Sequence, residues 1–270
     1  LHQQTALACV AVTEPPAVPE SVFVPLDEPL PPLSARSLSH EIDRLWRITS
    51  YSGLVKQGSH QHDASFEIGG FDVDSADEHD EAALAEPERS IFTFPRGAQP
   101  GTFLHSLFEE VEFTQPAGDE HNTRIITDLM EREQIDTDWL PVLQSLVDTV
   151  LSTPLNGKDL CLNQKAPHQR LTEMEFLLPI DVLSAPALNR VVQRHDPLSA
   201  KAGDLGFYTV QGMLKGFIDL VFEHQGKYYV LDWKSNHLGD EVAAYQGARL
   251  AQAMVEHRYD LQYQLYALAL

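Results

Sequence analysis

The chain has 270 residues and a formal net charge of −21, from 40 acidic and 19 basic side chains. Its length allows one sizeable core with an extension, and no apolar run approaches the roughly 20 residues needed to span a bilayer. The negative charge disfavours tight unaided binding to nucleic acid, which depends on basic groups that replace counterions. Only Cys9 and Cys161 are present, which excludes a disulfide framework and fits a cytoplasmic protein.

The N-terminal segment, residues 1–45, is dense in proline between Glu14 and Ser34. Proline at this density favours an extended, semi-rigid connector over a packed core. We therefore expect a linker from an upstream region, followed by a folded domain over residues 46–270. The chain starts without Met and stops inside an apolar helical pattern, so we expect a fragment of a longer protein with a truncated C-terminus.

A second unusual segment covers residues 57–90. No Lys or Arg occurs between Lys56 and Arg89, whereas Asp and Glu crowd together from residue 72 to residue 81. Such a composition cannot bury enough apolar surface to order the chain. We predict a disordered acidic loop here.

Apolar spacing predicts the secondary structure that follows. Periodicity indicates two helices, one strand, a third helix and, after the strand pair, two further helices. The strand run is short and alternating. Their order, together with a strand pair described next, predicts a mixed α/β fold. The predicted helices lie after residue 102, over residues 139–155 and 182–195, after Gly239 and around Gln262 and Tyr266, and the strand covers residues 173–178.

Two β-branched and aromatic runs flank Gln225 and Gly226 and predict a β-hairpin. A two-residue loop pairs His224 with Lys227, and counting back along both strands places Asp219 opposite Asp232, with Cβ atoms roughly 5 Å apart. Side chains alternate along a strand, so Lys234 shares the face of Asp232. The opposite, core face is predicted to hold Ile218, Leu220, Phe222, Tyr229, Leu231 and Trp233.

The facing carboxylates of Asp219 and Asp232 predict a metal site. Like charges opposite each other destabilise a sheet, and a divalent cation between them removes the repulsion. Magnesium prefers carboxylate oxygen ligands. The alternative is that both are ordinary solvent-facing strand residues whose charge Lys234 offsets.

Three segments of the sequence resemble the signature of the RecB-family nucleases, of the PD-(D/E)XK type. The resemblance covers roughly residues 46–270 and implies a restriction-endonuclease-like core, with a mixed central sheet flanked by helices. The segments are Gly216-Phe217-Ile218-Asp219, Leu231-Asp232-Trp233-Lys234-Ser235-Asn236 and Tyr259-Asp260-Leu261-Gln262-Tyr263-Gln264-Leu265-Tyr266.

The resemblance also implies further site residues. The stretch Gly101-Thr102-Phe103-Leu104-His105 resembles the family's helical Gly-Thr-x-x-His element, whose histidine helps to hold the metal. The family's strand acid matches Glu173 better than Glu175. Gln262 and Tyr266, one helical turn apart, match a pair that lines the family's active site. The alternatives are a helix histidine, a solvated strand edge and helix packing.

The function implied is a magnesium-dependent DNA nuclease in double-strand-break processing for recombinational repair. His105, Asp219 and Asp232 would hold the ion, and Lys234 would orient the attacking water or stabilise the transition state. The implied partners are DNA strands delivered from a duplex end and RecC-like and RecD-like subunits. No Gly-x-x-x-x-Gly-Lys-Thr motif occurs, so ATP binding belongs to an upstream helicase region. The alternatives are a catalytically inactive scaffold and an acidic interaction domain.

Overall fold

The computed structural model describes residues 46–57 and 88–270. The predicted proline-rich linker and nearly all of the predicted acidic loop lie outside these residues and stay predictions. No helix of the described part is long and apolar enough to cross a membrane. The strands are β1 (Trp46–Thr49), β2 (Arg170–Leu183), β3 (Val210–His224) and β4 (Lys227–Leu231); the helices are α1 (Tyr51–Lys56), α2 (Ala98–Glu110), α3 (Glu120–Arg132), α4 (Leu140–Ser152), α5 (Ala185–His195), α6 (Gly247–Glu256) and α7 (Tyr259–Ala269).

Strand β3 is the centre of a mixed sheet. It pairs antiparallel with β2 from Val210 to Phe222, along almost its whole length. On its other edge it pairs with two short strands, parallel with β1 near its start and antiparallel with β4 near its end. The mixed central sheet predicted from the sequence is confirmed.

Helices cover both faces of this sheet. Val221 and Phe222 are adjacent on β3 and therefore point to opposite faces, and they belong to different core clusters. The first cluster packs α2, α3 and α4 against Leu220 and Phe222. The second packs α1, α5 and α7 against Val221 and the earlier part of β3. The result is the layered α/β arrangement expected from the order of elements.

Two helices differ from the sequence prediction. Helix α3 was not predicted, although Asp119 caps it by accepting a hydrogen bond from the Asn122 amide and Ile126, Leu129 and Met130 recur on its buried face. The longer helix predicted to follow Gly239 is present as α6, but a short 3-10 turn comes first and α6 begins only at Gly247. Gly247 has a φ of 59°, which a continuous right-handed helix does not accommodate.

Replacing Gly212 by Ala is expected to weaken the β1–β3 pairing. Gly212 has a φ of 129°, and a Cβ there would lie 2.1 Å from the backbone oxygen of Arg47, its partner on β1. Backbone strain alone costs roughly 1–3 kcal/mol, so the free energy of unfolding in urea should fall by at least that amount. Gly118→Ala is the control, since its Cβ would meet nothing within 4 Å. Equal stability of the two variants would show that the β1–β3 pairing does not require glycine at position 212.

Candidate active site

The predicted hairpin register is confirmed. Gln225 and Gly226 have φ values of 53° and 74°, typical of the two-residue type I′ turn, and β3 pairs with β4 from Leu220↔Leu231 to His224↔Lys227. However, β4 ends at Leu231, so Asp219 and Asp232 are next in register without being a ladder pair. The Trp233 amide instead donates a hydrogen bond to Asp219 Oδ2 at 2.7 Å.

The alternation of faces along β3 is interrupted at Asp219. Leu220 and Phe222 pack in the first cluster, whereas Ile218 packs in the second, so its predicted place on their shared core face is wrong. An irregular residue lies opposite this point on β2, where Glu173 has a φ of 50°. Glu173 falls between the pairs Thr172↔Leu220 and Met174↔Ile218, which places it next to Asp219 in register. A left-handed residue is uncommon in a strand, and here it coincides with the break in alternation at Asp219.

Asp232 is held by side chains from two elements. Its Oδ1 accepts a hydrogen bond from Gln262 Nε2 at 3.0 Å, and its Oδ2 forms an ion pair with the Lys234 ammonium. The Gln262 amide also donates to the Tyr266 hydroxyl at 2.8 Å. Gln262 and Tyr266 are 2 % and 5 % exposed, so they do not line an open surface. Gln262 orients the Asp232 carboxylate, and Tyr266 contacts Gln262.

His105 and Glu109 bring α2 to the same acids. His105 Nδ1 lies 3.3 Å from Asp219 Oδ2. Burial lowers the pKa of His105, but the hydrogen bond and charge of Asp219 outweigh it, so the pKa is raised. Burial raises the pKa of Glu109, and Glu110 and Asp219 add to this. Glu109 was not among the site residues predicted from the sequence, although it lies one helical turn after His105.

The carboxylates of this site lie close together, and the positive charge beside them does not offset their burial and mutual repulsion. Burial raises the pKa of Asp232 to about 6 against the opposing effect of Lys234. Burial also raises the pKa of Glu173 to about 7, with a further contribution from Asp219. Glu175 is not part of the cluster, because its carboxylate pairs with Lys215 at 2.8 Å on the exposed surface. The preference for Glu173 over Glu175 is thus consistent with the structure.

The donor atoms of these side chains are of the kind that binds a divalent cation. In their present arrangement, however, the side chains do not form a complete set of ligands. Carboxylate oxygens and an imidazole are suitable donors, and the buried Oδ2 of Asp232 accepts no hydrogen bond of regular geometry. Within residues 46–57 and 88–270, however, no three acidic, histidine or cysteine side chains are grouped so as to hold a metal ion. Instead, the Lys234 ammonium pairs with the Asp232 carboxylate, and the Trp233 amide donates a hydrogen bond to the Asp219 carboxylate.

Tyr259 supports Lys234, although no role was predicted for it from the sequence. The Lys234 ammonium lies 4.5 Å from the centroid of the Tyr259 ring, within the range of a cation–π contact. The Tyr259 hydroxyl donates to Asn236 Oδ1 at 2.9 Å, and its ring stacks on His257. Its position three residues before Gln262, on the same side of α7, is the signal that could have identified it.

Comparison with known proteins assigns the class. Residues 80–270 match the PD-(D/E)XK nuclease superfamily, a stretch that contains every residue of the cluster described above. The chain belongs to this superfamily and is a nuclease domain.

The chain is similar to the RecB subunit of the RecBCD enzyme from several bacteria. It is 45% identical to the Escherichia coli RecB over 240 residues, which cover 88% of this chain and 20% of that protein. The Haemophilus influenzae RecB is 34% identical over 87% of this chain and 20% of its own length, and the Mycobacterium tuberculosis RecB is 31% identical over 94% and 26%. The chain thus spans about a fifth to a quarter of the length of these relatives.

Replacing Gln262 by Leu is expected to reduce nuclease activity by roughly 10- to 100-fold, the range found for groups that orient ligand side chains. The substitution removes the amide that donates to Asp232 and keeps the side-chain volume similar. The cleavage rate and its dependence on metal concentration are the measurements. Gln252→Leu is the control, because Gln252 is exposed on α6 and its amide donates to Glu256, away from the acidic cluster. Equal rates in the two variants would count against an orienting role.

Proposed function

We propose that this nuclease domain hydrolyses the phosphodiester bonds of DNA in a magnesium-dependent reaction. The observation that carries the proposal is the convergence of Asp219, Asp232 and Glu173 beside Lys234, with the pKa of two of the three acids strongly raised. A divalent cation would offset the excess negative charge of the acids, and the fixed ammonium would attract a phosphate diester. Asp219, Asp232 and His105 are proposed to hold the ion.

When bound, a divalent cation polarises a phosphoryl oxygen and lowers the pKa of a bound water. The chain's own residues supply the remaining functions. Gln262 fixes the orientation of Asp232 through its amide. Lys234, held against Tyr259, presents a preorganised positive charge for the phosphoryl oxygens in the transition state. Glu173 and Tyr266 complete the proposed catalytic set, the first beside Asp219 and the second behind Gln262.

The wider setting is proposed from the relatives, each of which is a subunit of a RecBCD enzyme. We place the domain in a helicase–nuclease subunit that acts in the cytoplasm with RecC-like and RecD-like partners in double-strand-break repair. ATP would be used by the helicase region outside this chain. Delivery of DNA by the helicase accounts for the net charge of −21, because the domain then needs little affinity of its own for phosphates.

The second candidate function is a catalytically inactive nuclease-like scaffold that binds DNA or a partner subunit. Its expected feature is loss of the charged cluster. Asp219, Asp232 and Lys234 are all present and in contact with their supporting groups, which favours the active enzyme.

Magnesium-dependent cleavage of labelled single-stranded DNA tests the proposal. We expect cleavage with Mg²⁺, none with chelator, and at least a 1000-fold loss in Asp232→Asn, since a carboxylate that holds the ion is removed. Asp128→Asn, an exposed position on α3, should cleave like the wild type. Metal-independent cleavage, or equal activity of both variants, would overturn the metal site. Absence of both cleavage and magnesium binding in calorimetry would favour the scaffold.

A further inference from the structure

A cavity of about 350 Å³ adjoins the candidate active site. It lies between α2, the segment before that helix, α4 and the chain from Trp233 to Tyr245. His105 and Lys234 both contribute to its wall. An occupant of the cavity therefore lies directly beside the groups that we assign to phosphodiester cleavage.

The rest of the cavity wall is mainly apolar and aromatic. Trp233 stacks on Phe108 with ring centroids 4.3 Å apart and an interplanar angle of 21°. Phe92 and Tyr245 approach each other at 6.0 Å on another part of the wall. Flat aromatic side chains bind planar heterocycles by stacking, largely irrespective of base identity.

A few polar groups lie among these rings. The side chain of Asn236 is fixed by the Tyr259 hydroxyl, which donates to its Oδ1. Arg96 lies at the exposed edge of the wall, where it pairs with Asp240 at 3.6 Å. An apolar pocket with a small number of placed polar groups is the usual form of a site for a small organic group.

We propose that this cavity is a subsite for one unpaired nucleobase, belonging to a nucleotide next to the phosphate that is cleaved. The inference rests on the proposed function and adds a contact that fixes the position of the strand. A base within a duplex is stacked and paired, so it enters such a pocket only from a single strand or after extrusion. Stacking of the base in the cavity holds its sugar-phosphate backbone at Lys234 and His105.

A single abasic nucleotide moved through a labelled single-stranded oligonucleotide tests the subsite with the unmodified protein. One stacked base contributes roughly a 5- to 150-fold change in binding. We therefore expect cleavage to fall by that factor only at the phosphate in fixed register with the abasic position. Cutting elsewhere on the same strand is the internal control. An unchanged cleavage pattern at every abasic position would overturn the proposal.

Variants of the wall give an independent measurement. Tyr245→Leu removes a ring from the cavity and should reduce the sensitivity to the abasic position, whereas Tyr228→Leu, at an exposed residue of β4, should retain it. Equal sensitivity in both variants would place the base elsewhere. Circular dichroism and urea unfolding establish that both variants are folded.

A binding measurement separates failure of the subsite from failure of the proposed function. Oligonucleotides carrying 2-aminopurine at successive positions are mixed with the protein in Ca²⁺. Quenching of one probe, reduced in Tyr245→Leu and kept in Tyr228→Leu, supports the subsite even if no DNA is cleaved with Mg²⁺. Cleavage without any position-specific quenching would overturn the subsite and leave the nuclease function intact. Absence of both would overturn both.

Discussion

Replacement of Lys234 by Gln is expected to lower the rate of DNA cleavage by about 100- to 1000-fold, the effect of removing one preorganised charge-stabilising group. Magnesium binding should survive the same change and tighten. The ammonium of Lys234 lies against Asp232 Oδ2, so a cation must compete with it for that carboxylate. Calorimetric titration with Mg²⁺ and single-turnover cleavage at saturating Mg²⁺ measure the two effects separately.

Lys215→Gln is the matched control for this substitution. Lys215 lies on the same strand as Asp219, but its ammonium pairs with Glu175 on the surface, away from the acidic cluster. Its cleavage rate should equal that of the wild type. If Lys234→Gln cleaves normally, or if it loses activity only because magnesium no longer binds, Lys234 has no role in stabilising the transition state.

Replacement of Asp260 by Ala is expected to cost roughly 3–5 kcal/mol of unfolding free energy, the usual effect of breaking a buried ion pair from one side. Asp260 is fully buried and accepts hydrogen bonds from Arg258 Nε at 3.1 Å and from Ser199 Oγ at 2.6 Å. Without it, the buried Arg258 guanidinium keeps a bond to the Gly203 oxygen but loses its counter-charge. Denaturant unfolding followed by fluorescence gives the change.

Asp128→Ala provides the comparison on an exposed helix surface. Asp128 pairs with Arg124 at 3.8 Å, with both side chains largely in solvent, and such pairs contribute little to stability. The variant should unfold at nearly the wild-type denaturant concentration. A similarly small effect of Asp260→Ala would show that the buried network contributes little.

The structure could be predicted from the sequence where a short segment determines its own geometry. The β3–β4 register follows from a two-residue turn, because Gln225 and Gly226 both adopt the positive φ values that such a loop requires. That register brings Asp219 next to Asp232, although β4 ends one residue earlier, at Leu231. The metal role of His105, Asp219 and Asp232 remains a prediction, as does the catalytic role of the other site residues.

Tertiary contacts account for what the sequence did not indicate. The end of β4 at Leu231 depends on the Trp233 amide turning to Asp219, a contact that no alternation pattern contains. The burial of Gln262 depends on where α7 packs, and a polar residue gives no signal for that. Ile218 was assigned to the wrong layer because strict alternation was assumed past the left-handed Glu173 opposite Asp219.

Helix α7 connects the stability of the domain to the geometry of its candidate active site. Its first turns are attached to the segment after α5, through Asp260 with Ser199 and through the Tyr263 hydroxyl with Asp196. The same turns place Gln262 against Asp232. Local detachment of this helix would therefore disorient the carboxylate while the sheet is still intact. Heat inactivation of the enzyme would then precede global unfolding, so loss of activity would report the opening of one helix before the loss of the fold.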